Sequence, residues 1–198
     1  MLRNKFRERI SGLKHGKGLF LKDKKGVAAV EFALIVPILL LLFIGTLEIS
    51  LAVAVDRKVS RISSSVADLI TQGDSYNKAG LDQLTDIATR IMLPYGDVVQ
   101  ISVVAINIDS NGIPRVAWSY GRNGGAKPAP GTLFPVPTNI ANPDTFLISS
   151  EVTTNHAPAF SFLTFDGSNL KFDDTAIPLG EQMFLRPRKG DDIDCSDC

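Results

Sequence analysis

The residues best placed for chemistry are a glycine and a carboxylate at the start of a long apolar segment. Gly26 is followed by Val27, and Glu31 lies four residues further along, next to Phe32. A carboxylate inside an apolar run needs a partner or a functional reason. If the peptide bond after Gly26 were cut, Val27 would carry a new α-ammonium group one helical turn from Glu31, on the same helix face. Glu31 could pair with that ammonium or with the ammonium of a neighbouring subunit, and both alternatives remain open.

A second group that could do chemistry lies near the C-terminus, where Cys195 and Cys198 are spaced C-x-x-C among aspartates. A local disulfide is favoured, because the topology argued below places this tail in an oxidising compartment. A redox-active pair is the first alternative, but such a pair normally lies at a helix N-terminus that stabilises its thiolate, whereas acidic neighbours disfavour one. Metal binding is the second alternative; since a structural zinc site usually needs four ligands, no metal site is predicted.

Motifs of the common enzyme classes are missing from the sequence. There are two histidines, His15 and His156, and they are not spaced as a metal-binding pair. His156 is expected in a loop. No phosphate loop, dinucleotide fingerprint or nucleophile elbow is present. The formal net charge of +0 argues against a nucleic-acid partner. We therefore predict a non-enzymatic protein with no catalytic residues and no cofactor.

The segment that follows Glu31 is long and apolar enough to cross a lipid bilayer. Twelve of the sixteen residues in the range 32–47 are Leu, Ile, Val or Phe, which favours insertion by about 4–7 kcal/mol. Glu48 opposes insertion by at most about 3 kcal/mol, and apolar residues resume after it. Residues 32–55 make about 36 Å of helix, enough to span a bilayer.

The distribution of charge predicts the orientation of this segment. Residues 1–26 carry nine Lys and Arg against two acidic residues. The positive-inside rule places this leader in the cytoplasm and the C-terminal domain outside. A cleaved secretory signal is disfavoured, because charged residues follow the apolar run where a small-residue cleavage site would lie. We expect a single-pass protein of the cytoplasmic (inner) membrane with a periplasmic or extracytoplasmic domain.

The rest of the pattern predicts an α+β fold. The helix continues outside the membrane, because apolar residues recur there at helical spacing (Val55, Val59, Ile62, Val66 and Leu69). A second short helix is expected at 78–92, capped by Asn77 or Ser75. A mainly antiparallel sheet should follow, with strands at 98–108, 115–120, 146–154, 160–165, 170–172 and 182–185.

The domain division follows from these elements. Residues 1–26 form the basic leader, 27–72 the transmembrane helix and its continuation, and 73–198 the outer head. Within the head, the Pro/Gly-rich stretch 121–145 is a long loop, which is either a surface contact or poorly ordered.

Residues 26–48 carry a resemblance to a known family. They comprise GVAAVEFALIVPILLLLFIGTLE, and with the basic leader before them they resemble the class III signal of type IV pilin-like proteins. The longer match is similar to the TadE-like proteins of tight-adherence (Flp) pilus systems. The positions that carry the resemblance are Gly26, Glu31, Phe32, Ala33, Leu34, Pro37, Gly45 and Glu48.

The resemblance implies a structural function for the whole chain. A prepilin peptidase would cut after Gly26, and Glu31 with Phe32 would act in assembly. The protein would be a minor pilin-like subunit, or pseudopilin, required for pilus assembly and hence for adhesion. Its partners would be the peptidase, other pilus-assembly and pilin subunits, and the lipid bilayer. The alternative is an unprocessed single-span membrane protein whose outer domain binds a partner or ligand, which leaves Glu31 unexplained.

Overall fold

The computed structural model describes residues 26–93, 98–157, 164–166, 169–171 and 176–198. A long apolar helix comes first, a short helix second, and an antiparallel sheet follows. The predicted α+β class is therefore confirmed. The predicted basic leader lies outside the described residues, except for Gly26.

Helix α1 (Val27–Thr71) is a single helix of 45 residues. Pro37 lies inside it. Proline lacks the backbone N–H of a helix donor, but the loss of this hydrogen bond is tolerated in membrane helices. Among the described residues, α1 is the one helix that is long and apolar enough to cross a membrane.

The chain divides by its internal contacts into two compact units, one ending at Leu47 and the other comprising Glu48–Cys198. In the first unit, the large apolar side chains of α1 are exposed. In the second, α1 buries an apolar stripe against the sheet: Val55, Val59, Ile62, Val66 and Ile70. The predicted continuation of the helix beyond the membrane segment is confirmed, and it lies in the same unit as the sheet.

Helix α2 (Lys78–Arg90) is shorter than predicted by two residues. Its N-cap is Asn77, whose Oδ1 accepts a hydrogen bond from the Gly80 N–H at 2.8 Å. Leu81 and Ala88 are buried on the face that packs against the core, whereas Ile87 is exposed.

The main sheet has the strand order β3-β2-β4-β7, and all its pairings are antiparallel. A parallel pair β1–β8 and an antiparallel hairpin β5–β6 complete the described strands. Parts of the hairpin predicted at 160–172 lie outside the described residues. The last main strand begins at Ile177 rather than at residue 182. The bounds are β1 (Ser75–Tyr76), β2 (Val99–Ile108), β3 (Pro114–Arg122), β4 (Thr145–His156), β5 (Thr164–Asp166), β6 (Asn169–Lys171), β7 (Ile177–Leu185) and β8 (Asp194–Cys195).

A β-bulge interrupts the regular alternation of β3. In a regular strand Val116, Trp118 and Tyr120 would lie on the same face, and the sequence pattern predicts that this face is buried. The pairing with β2 shifts between Ala105 and Ile106, so that β3 contains one extra residue there. Trp118 and Tyr120 therefore lie in the core beside the helices, whereas Val116 lies in a second apolar cluster on the opposite face.

The loop between β3 and β4 comprises residues 123–144, slightly fewer than the predicted 121–145, and it covers this opposite face of the sheet. It brings partly buried apolar side chains onto the second cluster: Phe134, Val136, Ile140 and Ala141. Ser102 Oγ donates to the Ala126 carbonyl at 2.6 Å, and Ser119 Oγ donates to the Pro128 carbonyl at 2.7 Å. The loop is thus packed on the sheet through these contacts.

The C-terminal segment (residues 186–198) joins the two helices to the sheet. Ile193 is buried, and its carbonyl accepts a hydrogen bond from Trp118 Nε1 at 2.6 Å. β8 pairs with β1, which lies between the two helices in the chain. The Asp197 carboxylate accepts from the Lys78 N–H at 2.7 Å, at the N-terminus of α2, where negative charge is favourable.

Candidate functional site

The residues predicted to act in processing and assembly lie together at the start of α1. Gly26 immediately precedes the helix, Val27 is its first residue, and Glu31 follows four positions later. Gly26, Val27, Glu31 and Phe32 are all exposed. The helical geometry therefore places Glu31 one turn from Val27, as the sequence predicted.

Glu31 lies within an extended apolar surface on α1. The large apolar side chains of this surface are 41–68% exposed, and full burial of each one would be favourable by about 1.5–3 kcal/mol. Such a surface requires lipid or neighbouring helices around it. Its exposed members are Val27, Val30, Phe32, Leu34, Ile35, Ile38, Leu39, Leu40, Leu41, Leu42, Phe43 and Leu47.

Two glycines of this segment have no packing requirement inside the chain. A Cβ atom added at Gly26 or at Gly45 would have no atom within 4 Å of it, and neither residue has a positive φ. Packing within the described part of the chain therefore gives no reason for glycine at either position.

A polar cluster that the sequence did not reveal joins α2 to β3. Tyr120 Oη donates to Asp82 Oδ1 and lies 3.2 Å from Thr85 Oγ1. Arg122 pairs with Asp82 at 3.2 Å and also with Asp86. Burial and the Asp82 carboxylate raise the pKa of Tyr120. These contacts hold the helix on the sheet, and they were missed because Asp82 and Tyr120 lie far apart in the sequence.

Two further side chains, those of His156 and Lys58, lie in surroundings that the sequence did not predict. His156, expected in a loop, is buried as the last residue of β4. Lys58, one of the polar residues of α1, donates from Nζ to the carbonyls of Ile91 (3.2 Å) and Leu93, at the end of α2. A lysine in this place satisfies carbonyl groups that a helix C-terminus leaves without partners.

The cysteine pair is bonded in the structure. Cys195 and Cys198 form a disulfide with their Cα atoms 5.6 Å apart. Together with Asp197 they are a group whose potential ligand atoms lie within 4.8 Å of one another. Sulfurs joined in a disulfide provide no thiolate, which is the form that binds metal.

Comparison with known proteins finds a family match for the first described part of the chain. Residues 26–68 match the family model described as TadE-like protein, which confirms the resemblance proposed from residues 26–48. The match indicates a Tad pilus-related protein with an N-terminal membrane-like helix. Neither the comparison with curated proteins nor that with solved structures finds a match.

Proposed function

We propose that this Tad pilus-related chain is a minor pilin-like subunit required for the assembly of tight-adherence pili. It is synthesised with its basic leader, and a prepilin peptidase cuts it between Gly26 and Val27. Helix α1 then holds the mature protein in the cytoplasmic membrane, with residues 48–198 on the extracytoplasmic side. Other pilin-like subunits pack against the exposed apolar surface of α1.

The observation that carries this proposal is the start of the TadE-like match at Gly26. Packing inside the chain gives no reason for glycine at this position, because the space around it is open. A protease that accepts only a small residue before the cut supplies such a reason. The peptide bond after Gly26 is also exposed, and it lies at the boundary where α1 begins.

Glu31 has a specific role in this mechanism. The cut converts the amide nitrogen of Val27 into an α-ammonium, which needs an anionic partner in a medium of low dielectric constant. Glu31 is exposed on the apolar surface of α1, so it can meet the ammonium of its own chain or that of a neighbour. Either pairing neutralises both charges and fixes the register of packed helices.

The proposal describes a structural protein rather than an enzyme. TadE-like proteins are in general non-enzymatic. The polar cluster of Tyr120, Asp82 and Arg122 is used to attach α2 to the sheet. In this proposal the chain is the substrate of the peptidase and has no catalytic role of its own.

Substitution of Glu31 tests the assembly role. Glu31→Gln should be inserted and processed like the natural protein, yet a loss of about 1.4 kcal/mol at each pairing would lower pilus formation about tenfold. Glu31→Asp, which keeps the charge, should retain part of the natural pilus yield. The measurement is pilus yield in cells that carry each variant as the sole copy, with membrane content and N-terminal residue checked alongside.

Glu181→Gln is the matched control, because it makes the same chemical change at an exposed residue of β7. It should form pili at the natural level. Normal pilus yield with Glu31→Gln would exclude the charge-pairing role, although it would leave the processing step standing.

A further inference from the structure

The outer surface of α1 changes from apolar to charged within the second unit. Ile49 and Val53 are exposed on the helix, and the next exposed side chains along it include Asp56 and Arg57. An apolar surface belongs in the hydrocarbon region and charged groups belong in the headgroup region or beyond. If α1 spans a membrane, the membrane surface therefore lies between Val53 and Arg57.

The C-terminal end of α2 lies at this same level. Lys58 is five residues beyond Val53, about 7.5 Å along the helix axis. Its ammonium group donates to the carbonyls of Ile91 and Leu93. Leu93 is thus held close to the point at which α1 leaves the apolar region, and its side chain is exposed.

The sheet adds two more exposed apolar residues at this end. Val98 immediately precedes β2, and Ile177 is the first residue of β7. The register places Val99 opposite Thr154 and His156 opposite Ile177, so both lie at the same end of the sheet. Val98 is five residues from Leu93 in the chain, which limits their separation to about 18 Å.

We infer that this end of the head is a membrane-contacting surface that binds lipids with anionic headgroups. We name it the basal surface and define it by Leu93, Val98 and Ile177, with Arg57 and Arg90. This inference rests on the membrane span of the proposed function. The basal surface lies in the same unit as Ile49 and Val53, the exposed apolar residues of α1 that precede Arg57. Lipid that surrounds these two residues would therefore be the nearest available ligand.

Two properties of the basal surface fit lipid. Exposed apolar side chains insert at the boundary between headgroups and acyl chains, and cations beside them attract anionic lipid. Arg57 and Arg90 are exposed, and Arg90 lies in the last turn of α2. Their planar guanidinium groups can bind phosphate oxygens in pairs. The basal surface would thereby restrain the head beside the membrane until the subunit is withdrawn into an assembly.

The test compares two leucines with the same exposure. Leu93 and Leu133 are both 67% exposed. Leu133 forms a β-bridge with Arg115, and Arg115 pairs with Asn107. Asn107 and Val99 are about 26 Å apart along β2. Leu133 therefore lies at the opposite end of β2 from Val99. Leu93→Cys and Leu133→Cys would each be labelled with an environment-sensitive fluorophore in the full chain, with unsubstituted protein as the labelling blank. Phe43→Cys serves as the reference inside the bilayer.

The labelled chains would be reconstituted in vesicles of phosphatidylcholine containing phosphatidylglycerol, with lipid-borne quenchers at defined depths. The label at residue 93 should be quenched severalfold more strongly than that at residue 133, by shallow quenchers in particular. Equal quenching at 93 and 133, with strong quenching at 43, would overturn the inference and leave the membrane span intact. A label at 93 shielded from water but not quenched by lipid would indicate protein contact and would also overturn it. No quenching at 43 would overturn the membrane span, and the inference with it.

The charge contribution has its own test. Replacing phosphatidylglycerol by phosphatidylcholine should weaken quenching at residue 93 severalfold, and Arg57→Gln with Arg90→Gln should abolish this lipid dependence. Lipid dependence that persists in the double variant would overturn the specificity for anionic headgroups.

Discussion

Glu31 and Tyr120 are both polar groups set among apolar neighbours, but their partners come from different places. Tyr120 finds its partners within the head, where Asp82 and Thr85 of α2 meet its hydroxyl group. Glu31 is exposed on a surface that no other described element covers. The sequence pointed to Glu31 because a carboxylate within an apolar run is rare and can be recognised from the sequence alone. It could not point to the Tyr120 cluster, whose members meet only when α2 packs on β3.

The shifted pKa of Tyr120 predicts a pH dependence of stability. Burial first, and Asp82 second, raise the pKa above the ordinary value of 10.0. The folded state therefore binds the phenolic proton more tightly than the unfolded state does. This contribution is complete below about pH 10 and is lost as the pH rises through the folded pKa. Tyr76, whose pKa is also raised chiefly by burial, contributes with the same sign.

Tyr120→Phe should reduce the loss of stability at alkaline pH. At neutral pH it should lower the free energy of unfolding by about 1–2 kcal/mol, because the hydrogen bond to Asp82 is lost. The measurement is the urea-induced unfolding of the full chain in detergent at neutral and at strongly alkaline pH. An unchanged alkaline loss in the variant would show that Tyr120 is not the titrating group.

At the scale of elements, periodicity predicted most of the fold correctly. The apolar spacing of α1 beyond Val55 marked the buried face except at its end, where Ile70 is buried and Leu69 only partly so. The strands predicted at residues 98–108 and 146–154 lie within about two residues of β2 and β4. The β-bulge was missed, because one extra residue in β3 leaves no signature in a simple alternation. The role of loop 121–145 was missed as well, since its apolar residues cover a face that only tertiary packing creates.

The C-terminal segment supports a stability prediction. Ile193 is buried among residues of both helices and the sheet. Ile193→Ala should lower the free energy of unfolding by about 2–5 kcal/mol, because it leaves a cavity. Trp118 fluorescence can follow the unfolding, since its Nε1 donates to the Ile193 carbonyl.

Ile113→Ala is the control, because it makes the same substitution at a partly exposed residue outside the strands. It should change the free energy of unfolding by about 0.5 kcal/mol or less. Equal effects of the two substitutions would contradict the role assigned to the C-terminal segment.

At the scale of the whole molecule, the two units have different surfaces. The unit that ends at Leu47 exposes its apolar side chains, and the unit Glu48–Cys198 buries its own around a sheet. The match to TadE-like proteins covers residues 26–68, which include the whole apolar part of α1 and most of the residues that α1 buries. In the proposed function, α1 provides membrane residence and assembly, and the basal surface provides contact with the lipid headgroups.

The proposed function depends above all on the cut between Gly26 and Val27. The most direct test is the intact mass and N-terminal sequence of the protein recovered from membranes of cells with and without the prepilin peptidase, with Gly26→Leu as the matched variant. Since Gly26 is unconstrained by packing, this variant should fold and insert but remain uncut. We expect a mature chain that begins at Val27 when the peptidase is present, and a chain that keeps its leader when the peptidase is absent. A membrane protein that retains residues 1–26 in the presence of the peptidase would contradict the proposed cut.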